Sequence, residues 1–241
     1  PGEFDVRTNA LSIAKNDQKK LVPGYVTTAT AITIRETLLD KPGGYLSNDV
    51  TPPGIYLDNI PNWELGVLTE LRDLTRSLRN DFSRSQSQSA EDKDLQVAES
   101  HFNYDNKSWI LPSTESEYRQ GIESLYHYLN RLADAKAYDG QFFTRADNLT
   151  VYLTVVGKRL GDLSQRLSAS VGQTRFNTDL ANDPTARQST PTPTQIEVKT
   201  PWLKIDDIFF EARGYTWSLL HTLRALEVDF GDFLQKKKDL V

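Results

Sequence analysis

Long runs of apolar residues at alternating spacings of four and three predict an all-α protein, a bundle of about five to six helices joined by ordered loops. Two further observations agree. No run alternates apolar and polar residues over the length of a strong strand, and proline, glycine and serine gather between the periodic runs. Sustained 4–3 spacing also favours crossing angles near about +20°.

Residues 1–23 read as a separate polar segment. Pro1-Gly2-Glu3-Phe4 looks like cloning-vector residue, and Val22-Pro23-Gly24 signals a turn before the bundle, taken as 24–241. From Tyr25 to about Asp40, Val26, Ala29, Ile32 and Leu39 share a helical face, with Lys41-Pro42-Gly43-Gly44 as the stop. The β-branched Thr and Ile residues lower helix propensity there. A turn-dense loop follows at 43–60. Asn62 is placed to cap the next helix, and Glu64 in its first turn complements the dipole. Val67, Leu71, Leu74 and Leu78 then form one stripe that ends near Phe82. The tract Ser83-Arg84-Ser85-Gln86-Ser87-Gln88-Ser89, in a polar loop at 83–92, has little to bury.

A short helix is expected at 92–101, and another from Ser113 or Thr114, where Glu117 has capping-box spacing from Thr114. Its stripe is Tyr118, Ile122, Leu125, Leu129 and Leu132. The longest run extends from about Gln141 to Val171, with Leu149, Leu153, Val156, Leu160, Leu163 and Leu167 on one unbroken stripe. About thirty helical residues would span ~45 Å. Pro184, Pro191, Pro193 and Pro201 make 177–203 a polar, non-helical loop, in which Ile196 to Trp202 can pair weakly at a sheet edge. The last helix starts at Asp206 and runs on through Phe233, with Asp206 and Asp207 at its start and Lys236-Lys237-Lys238 near its end matching the dipole.

At 241 residues the chain is one large domain or two small ones, long enough to need no metal or disulfide staple. The net charge of −5 argues against nucleic acid and against a polybasic membrane patch. With no cysteine there is no disulfide, thiolate catalysis or cysteine metal site, and no cofactor is expected. No stretch approaches the ~18 apolar residues of a membrane span. With no methionine the chain carries no initiator, and both ends read as cut.

The strings GGYLSNDVTPPG, LDNIPNWE, LRNDFSRSQSQS, RLSASVGQ, DPTARQSTPTPTQ and KTPWLKIDD carry a resemblance over residues 24–241 to an uncharacterised bacterial family, domain of unknown function family 2333. The resemblance implies an inner-membrane protein of Gram-negative bacteria, with one spanning segment near the N-terminus and the rest in the periplasm. It implies a chain that continues past Val241. It brings no activity and no functional residue.

His101, His127 and His221 lack metal-ligand spacing, and no carboxylate–histidine motif is present. Glu115/Glu117 and Asp206/Asp207 have the composition of a glycosidase acid–base pair, but both pairs sit at helix starts where dipoles account for them. Arg76, Arg79 and Arg84, with Arg72, form a basic edge interleaved with Glu70, Asp73 and Asp81. It is either self-paired or an anion-binding ridge. The loop aromatics Tyr45, Tyr56, Trp63, Tyr104, Trp109 and Trp202 either staple long loops to the bundle or stay exposed as a partner or glycan platform. The candidate binding set is therefore Tyr45, Asn48, Asp49, Tyr56, Trp63, Arg76, Arg79 and Arg84. The expected function is a non-enzymatic periplasmic scaffold or interaction domain, anchored by a segment outside this chain, with an envelope protein or polymer as partner and self-association through the last helix. The alternative is a hydrolase, lyase or binding module for an envelope polymer.

Overall fold

The computed structural model describes residues 1–50, 57–86, 88–134, 139–176 and 195–238. Among them are eight α-helices and one two-stranded sheet, so the all-helical expectation holds and the count of five to six does not. The helices are α1 (Val6–Ile13), α2 (Tyr25–Asp40), α3 (Asn59–Ser77, ending in a π-helical turn Leu78–Phe82), α4 (Lys93–Phe102), α5 (Thr114–Ala133), α6 (Ala146–Ala169), α7 (Ile205–Asp229) and α8 (Gly231–Lys238). Strands β1 (Gln173–Phe176) and β2 (Gln195–Val198) pair antiparallel, Gln173 opposite Val198.

Both extra helices have local causes. Asp5 caps α1 by accepting from Thr8 N at 2.7 Å, and Val6 and Ala10, one turn apart, are buried. The segment set apart as polar thus packs on α2 and α7. Phe4 stacks on His221 at 4.2 Å and donates its N–H to His221 Nε2 at 3.2 Å. The run expected as one last helix breaks at Phe230, whose ψ of 5° leaves the helical range before Gly231. The side chains of Lys236, Lys237 and Lys238 lie outside the described residues.

Two caps differ from expectation. Asp58, not Asn62, caps α3, and Asn62 Nδ2 instead donates to Asp207 Oδ1 at 2.7 Å. Ser113 caps α5 through Ser116 N, which leaves Glu117 to meet His101 Nδ1 at 2.8 Å. That pair joins residues sixteen apart in sequence, beyond any local motif.

Helix α2 is buried on nearly every side, including Thr27, Thr28 and Thr30, so no single stripe marks it. The most extensive helix pair is α3 with α7. There Gly66 and Gly214 let the backbones touch: a Cβ on Gly66 would stand 2.0 Å from Glu211 O, and one on Gly214 2.0 Å from Trp63 O. One turn further along α3, buried Glu70 accepts from Tyr152 OH of α6 at 2.8 Å and from Ser218 Oγ of α7. Burial pushes its carboxyl above the ordinary range, against these hydrogen bonds. Buried Arg35 of α2 donates to Leu71 O at 2.8 Å and to Thr75 of α3, and lies 3.7 Å over the Phe102 ring of α4.

Helix α6 buries only part of the stripe its sequence suggests. Tyr152, Val156 and Leu163 are buried while Leu153 and Leu160 are exposed. Three polar ties set this rotation: Tyr152 to Glu70, Arg159 to Asp73 at 2.7 Å, and Arg166 to Glu211 at 2.6 Å.

The glycine crossing predicts opposite outcomes for one substitution type. Gly66→Ala should cost at least about 3 kcal/mol by urea denaturation, because rigid backbone must move. Gly157→Ala in α6 meets nothing within 4 Å and should gain roughly 0.5–1 kcal/mol.

A pH prediction rests on Asp229, whose Oδ2 accepts from Thr27 N at 2.7 Å and Thr27 Oγ1 at 2.6 Å at the start of α2. Burial raises its carboxyl from 3.8 to about 6, so the folded state holds this proton longer than the unfolded one. Stability from this group is therefore present at low pH and lost as pH rises through that window, by on the order of 3 kcal/mol. Denaturation midpoints for wild type minus Asp229→Asn, taken from pH 4 to 6.5, should show that slope.

Candidate functional site

One cluster of exposed apolar side chains lies where β2 runs into α7, another at Trp109-Ile110-Leu111. Pro201 leads into a 3-10 turn, Trp202–Lys204, whose geometry leaves Trp202 82% and Leu203 77% exposed. Phe209, one turn into α7, is 52% exposed. With Leu167 and Ser170 from the end of α6 and Ile205, they line a groove of about 600 Å³. Thr200 N donates to Ala169 O at 2.9 Å and fixes the turn against α6. Val171 and Phe176, further along the chain, are exposed as well.

The groove has an acidic rim. Asp58 and Asp206 line it, and Asp207 stands beside Asp206 with Asn62 on its Oδ1. Partial burial, then repulsion from Asp206 and Asp58, raises the Asp207 carboxyl above its ordinary value.

The sequence-selected residues do not converge there. Tyr45 is buried, donates to Asn106 O at 3.0 Å, and sets its ring edge-on to Tyr118 at 5.9 Å. Burial pushes its phenol well above the ordinary range. Asn48 is buried and donates to Ser108 O at 2.9 Å and Glu115 Oε2 at 2.8 Å. Asp49 is half-buried and engaged with its neighbours, and Tyr56 lies outside the described residues. Trp63 is buried against Trp217. The loop at 43–50 is thus a packed strap. Glu64, assigned from sequence to the helix dipole, is its clamp: fully buried, it accepts from Leu46 N at 2.9 Å, Ser47 N at 2.7 Å and the Lys41 ammonium.

The basic edge is self-paired. Arg79 holds Glu91 at 2.6 Å and Glu99 at 2.9 Å, Arg84 lies 3.9 Å from Glu91, and exposed Arg76 lies 3.7 Å from Glu99. Arg72 donates to Phe102 O at 2.6 Å and Tyr104 O at 2.8 Å, which ties α3 to the loop after α4.

The whole chain, residues 1–241, matches the bacterial family described as "Uncharacterized protein conserved in bacteria (DUF2333)". The chain belongs to this family. Neither a curated protein nor a solved structure matches it. In this DUF2333 chain no group of three or more His, Asp or Glu among the described residues is placed to hold a metal ion. No described helix is long and apolar enough to cross a membrane. Among the described loop aromatics the exposed ones are Trp109 and Trp202, and Trp202 lines this groove. Leu203 sits beside it in the same turn, while Asp58 and Leu167 join it through fold contacts that no sequence spacing announces.

The clamp predicts non-additive energetics. Glu64→Gln should cost about 3 kcal/mol by urea denaturation, since it leaves the Lys41 ammonium buried without its counter-charge. Lys41→Met should cost a similar amount, and the double variant clearly less than the sum of the two.

Proposed function

We propose that this domain is a non-enzymatic interaction module of a cell-envelope protein. Its place is the periplasmic side of the inner membrane of a Gram-negative bacterium, held there by a segment outside this chain. The observation that carries the interaction part is the groove of Trp202, Leu203 and Phe209, because an exposed aromatic–aliphatic cluster on a braced turn is what a partner's apolar side chains need. The acidic rim favours a partner with positive charge beside those side chains, an arrangement that speeds encounter and fixes register. The location rests on the family resemblance, and the partner is an envelope protein or polymer.

A second reading draws on Asp58 and Asp206, which share the groove with Trp202. An envelope-polymer hydrolase would stack a sugar ring on the indole and use two carboxyls. Against it, Asp58 accepts from Asn59 N and Asp206 from Asp207 N, so both serve the first turns of their helices.

The test is cross-linked capture from native bacterial membranes with wild type and with Trp202→Ala/Leu203→Ser. Both side chains are exposed, so the melting temperature should stay within a few degrees. Partner recovery should fall at least roughly tenfold. Equal recovery would reject the groove, and peptidoglycan or polysaccharide cleavage lost in Asp58→Asn would favour the second reading.

A further inference from the structure

The loop between α4 and α5, residues 103–113, carries the other apolar cluster. Trp109, Ile110 and Leu111 follow one another and are each more than half exposed, Leu111 at 89%. Hydrogen bonds at the base hold this tip out. Ser108 O accepts from Asn48 Nδ2 at 2.9 Å and from Thr114 N and Oγ1, each at 3.0 Å. Ser108 Oγ donates to Pro112 O at 2.9 Å and closes the tip. Tyr45 OH, from the 43–50 strap, donates to Asn106 O at 3.0 Å. Leu111 keeps a left-handed φ of 55°, which an L residue adopts only at a cost, so its exposed side chain sits on constrained backbone.

What the tip offers selects its partner. Three consecutive side chains on a braced turn form a point rather than a groove, and their backbone is already ordered in the free protein. The Ser108 hydroxyl is spent inside the loop, while the indole N–H of Trp109 has no acceptor among the described residues. The charged groups of the loop are Asp105 and Lys107, both exposed. Of those packed on its base, Arg72 is held by the Phe102 and Tyr104 carbonyls, Glu115 by Asn48 and Glu117 by His101. Asp49 is engaged with its neighbours. One lysine beside these acids is no basic patch, so attraction to phosphates does not supply the affinity.

The headgroup–acyl boundary of a bilayer fits these features. It has no shape to complement, it takes aliphatic side chains at shallow depth, and its ester and phosphate oxygens accept from an indole N–H. The loop backbone needs hydrogen-bond partners too, which keeps the tip at that depth and out of the hydrocarbon centre. A protein partner would draw on polar groups around the anchor to fix register, and this tip presents none beyond the indole. We infer that residues 109–111 insert into the headgroup–acyl boundary of a lipid bilayer, driven by apolar burial and not by charge. Trp109 sits at headgroup level, and Ile110 and Leu111 reach below it. This inference rests neither on the Trp202 groove nor on the proposed location.

The test uses phosphatidylcholine vesicles with brominated acyl chains. In the Trp202→Ala/Leu203→Ser chain, Trp109 is the one exposed indole left of four tryptophans, and vesicle binding there cannot come from the groove. Its emission should shift to the blue and be quenched saturably, half-complete at about 1–10 mM lipid. Three side chains bury less apolar surface than a myristoyl chain with its ~10⁴ M⁻¹. Adding Ile110→Ser/Leu111→Ser should weaken partition at least roughly tenfold, with the melting temperature within a few degrees because both side chains are exposed. Phosphatidylglycerol in the vesicles, or added salt, should change partition less than roughly twofold. No quenching at about 20 mM lipid, quenching that survives the serine substitutions, or binding that needs the anionic lipid overturns the inference. So does a captured protein that the serine variant loses while vesicles bind neither chain.

Discussion

The rest of the structure depends on the crossing of α3 over α7, where Gly66 and Gly214 bring main chain against main chain. Glycine inside a helix costs about 1 kcal/mol relative to alanine, so two facing glycines are worth having only where backbone approach returns more. Here the approach fixes the register of both helices. It sets Glu70 against Ser218 and Tyr152, and Trp63 against Trp217. It brings the first turn of α3 beside the first turn of α7, where Asn62 bridges to Asp207. The Trp202 groove and the packed Trp63–Trp217 pair then form beside that junction.

Around this crossing the core is held by directed polar contacts as well as by oil. Arg35 joins α2 to α3 and stacks on α4, Asp229 receives the first turn of α2 from the far end of α7, and Glu64 gathers the 43–50 strap. Burial pulls the Arg35 guanidinium down to about 9, which leaves it charged at neutral pH. Such groups add little net stability over apolar packing, but a wrong register would leave each of them buried and unpaired. The same logic explains α6. Tyr152, Arg159 and Arg166 hold it in the rotation that buries Val156 and Leu163 and leaves Leu153 and Leu160 outside.

Much of the helical frame was legible because its signals are local. The bounds of α2 follow from the stop at Lys41-Pro42-Gly43, and the apolar stripes of α3 and α5 are buried as read. What was illegible depends on distant partners. Glu64 looks like a dipole residue until Leu46 and Ser47 arrive, and Tyr45 and Asn48 look like ligands until the loop after α4 covers them. Asn62 looks like a cap until Asp58 takes that place. The exposed site was half legible: Trp202 stands out as an aromatic among Pro, Lys and Thr, with Leu203 beside it, but Leu167 and Ser170 join it only when α6 and α7 meet. The Arg79 cluster is self-paired, but through Glu91 and Glu99 rather than the interleaved acids, since Glu70 and Asp73 are taken by Tyr152 and Arg159.

The picture is of a rigid helical frame whose turn-rich segment at 43–50 is spent on internal bracing and whose apolar surface is offered elsewhere. If the α3–α7 crossing is the keystone, it should also be the last part to open. Native-state amide hydrogen exchange measures this directly. The account predicts that the slowest amides cluster at residues 66–75 of α3 and 212–222 of α7, exchanging only by global unfolding, with α6 and the β1–β2 hairpin several orders faster. Slowest exchange in α5 or α6, with the glycine crossing opening early, would contradict it.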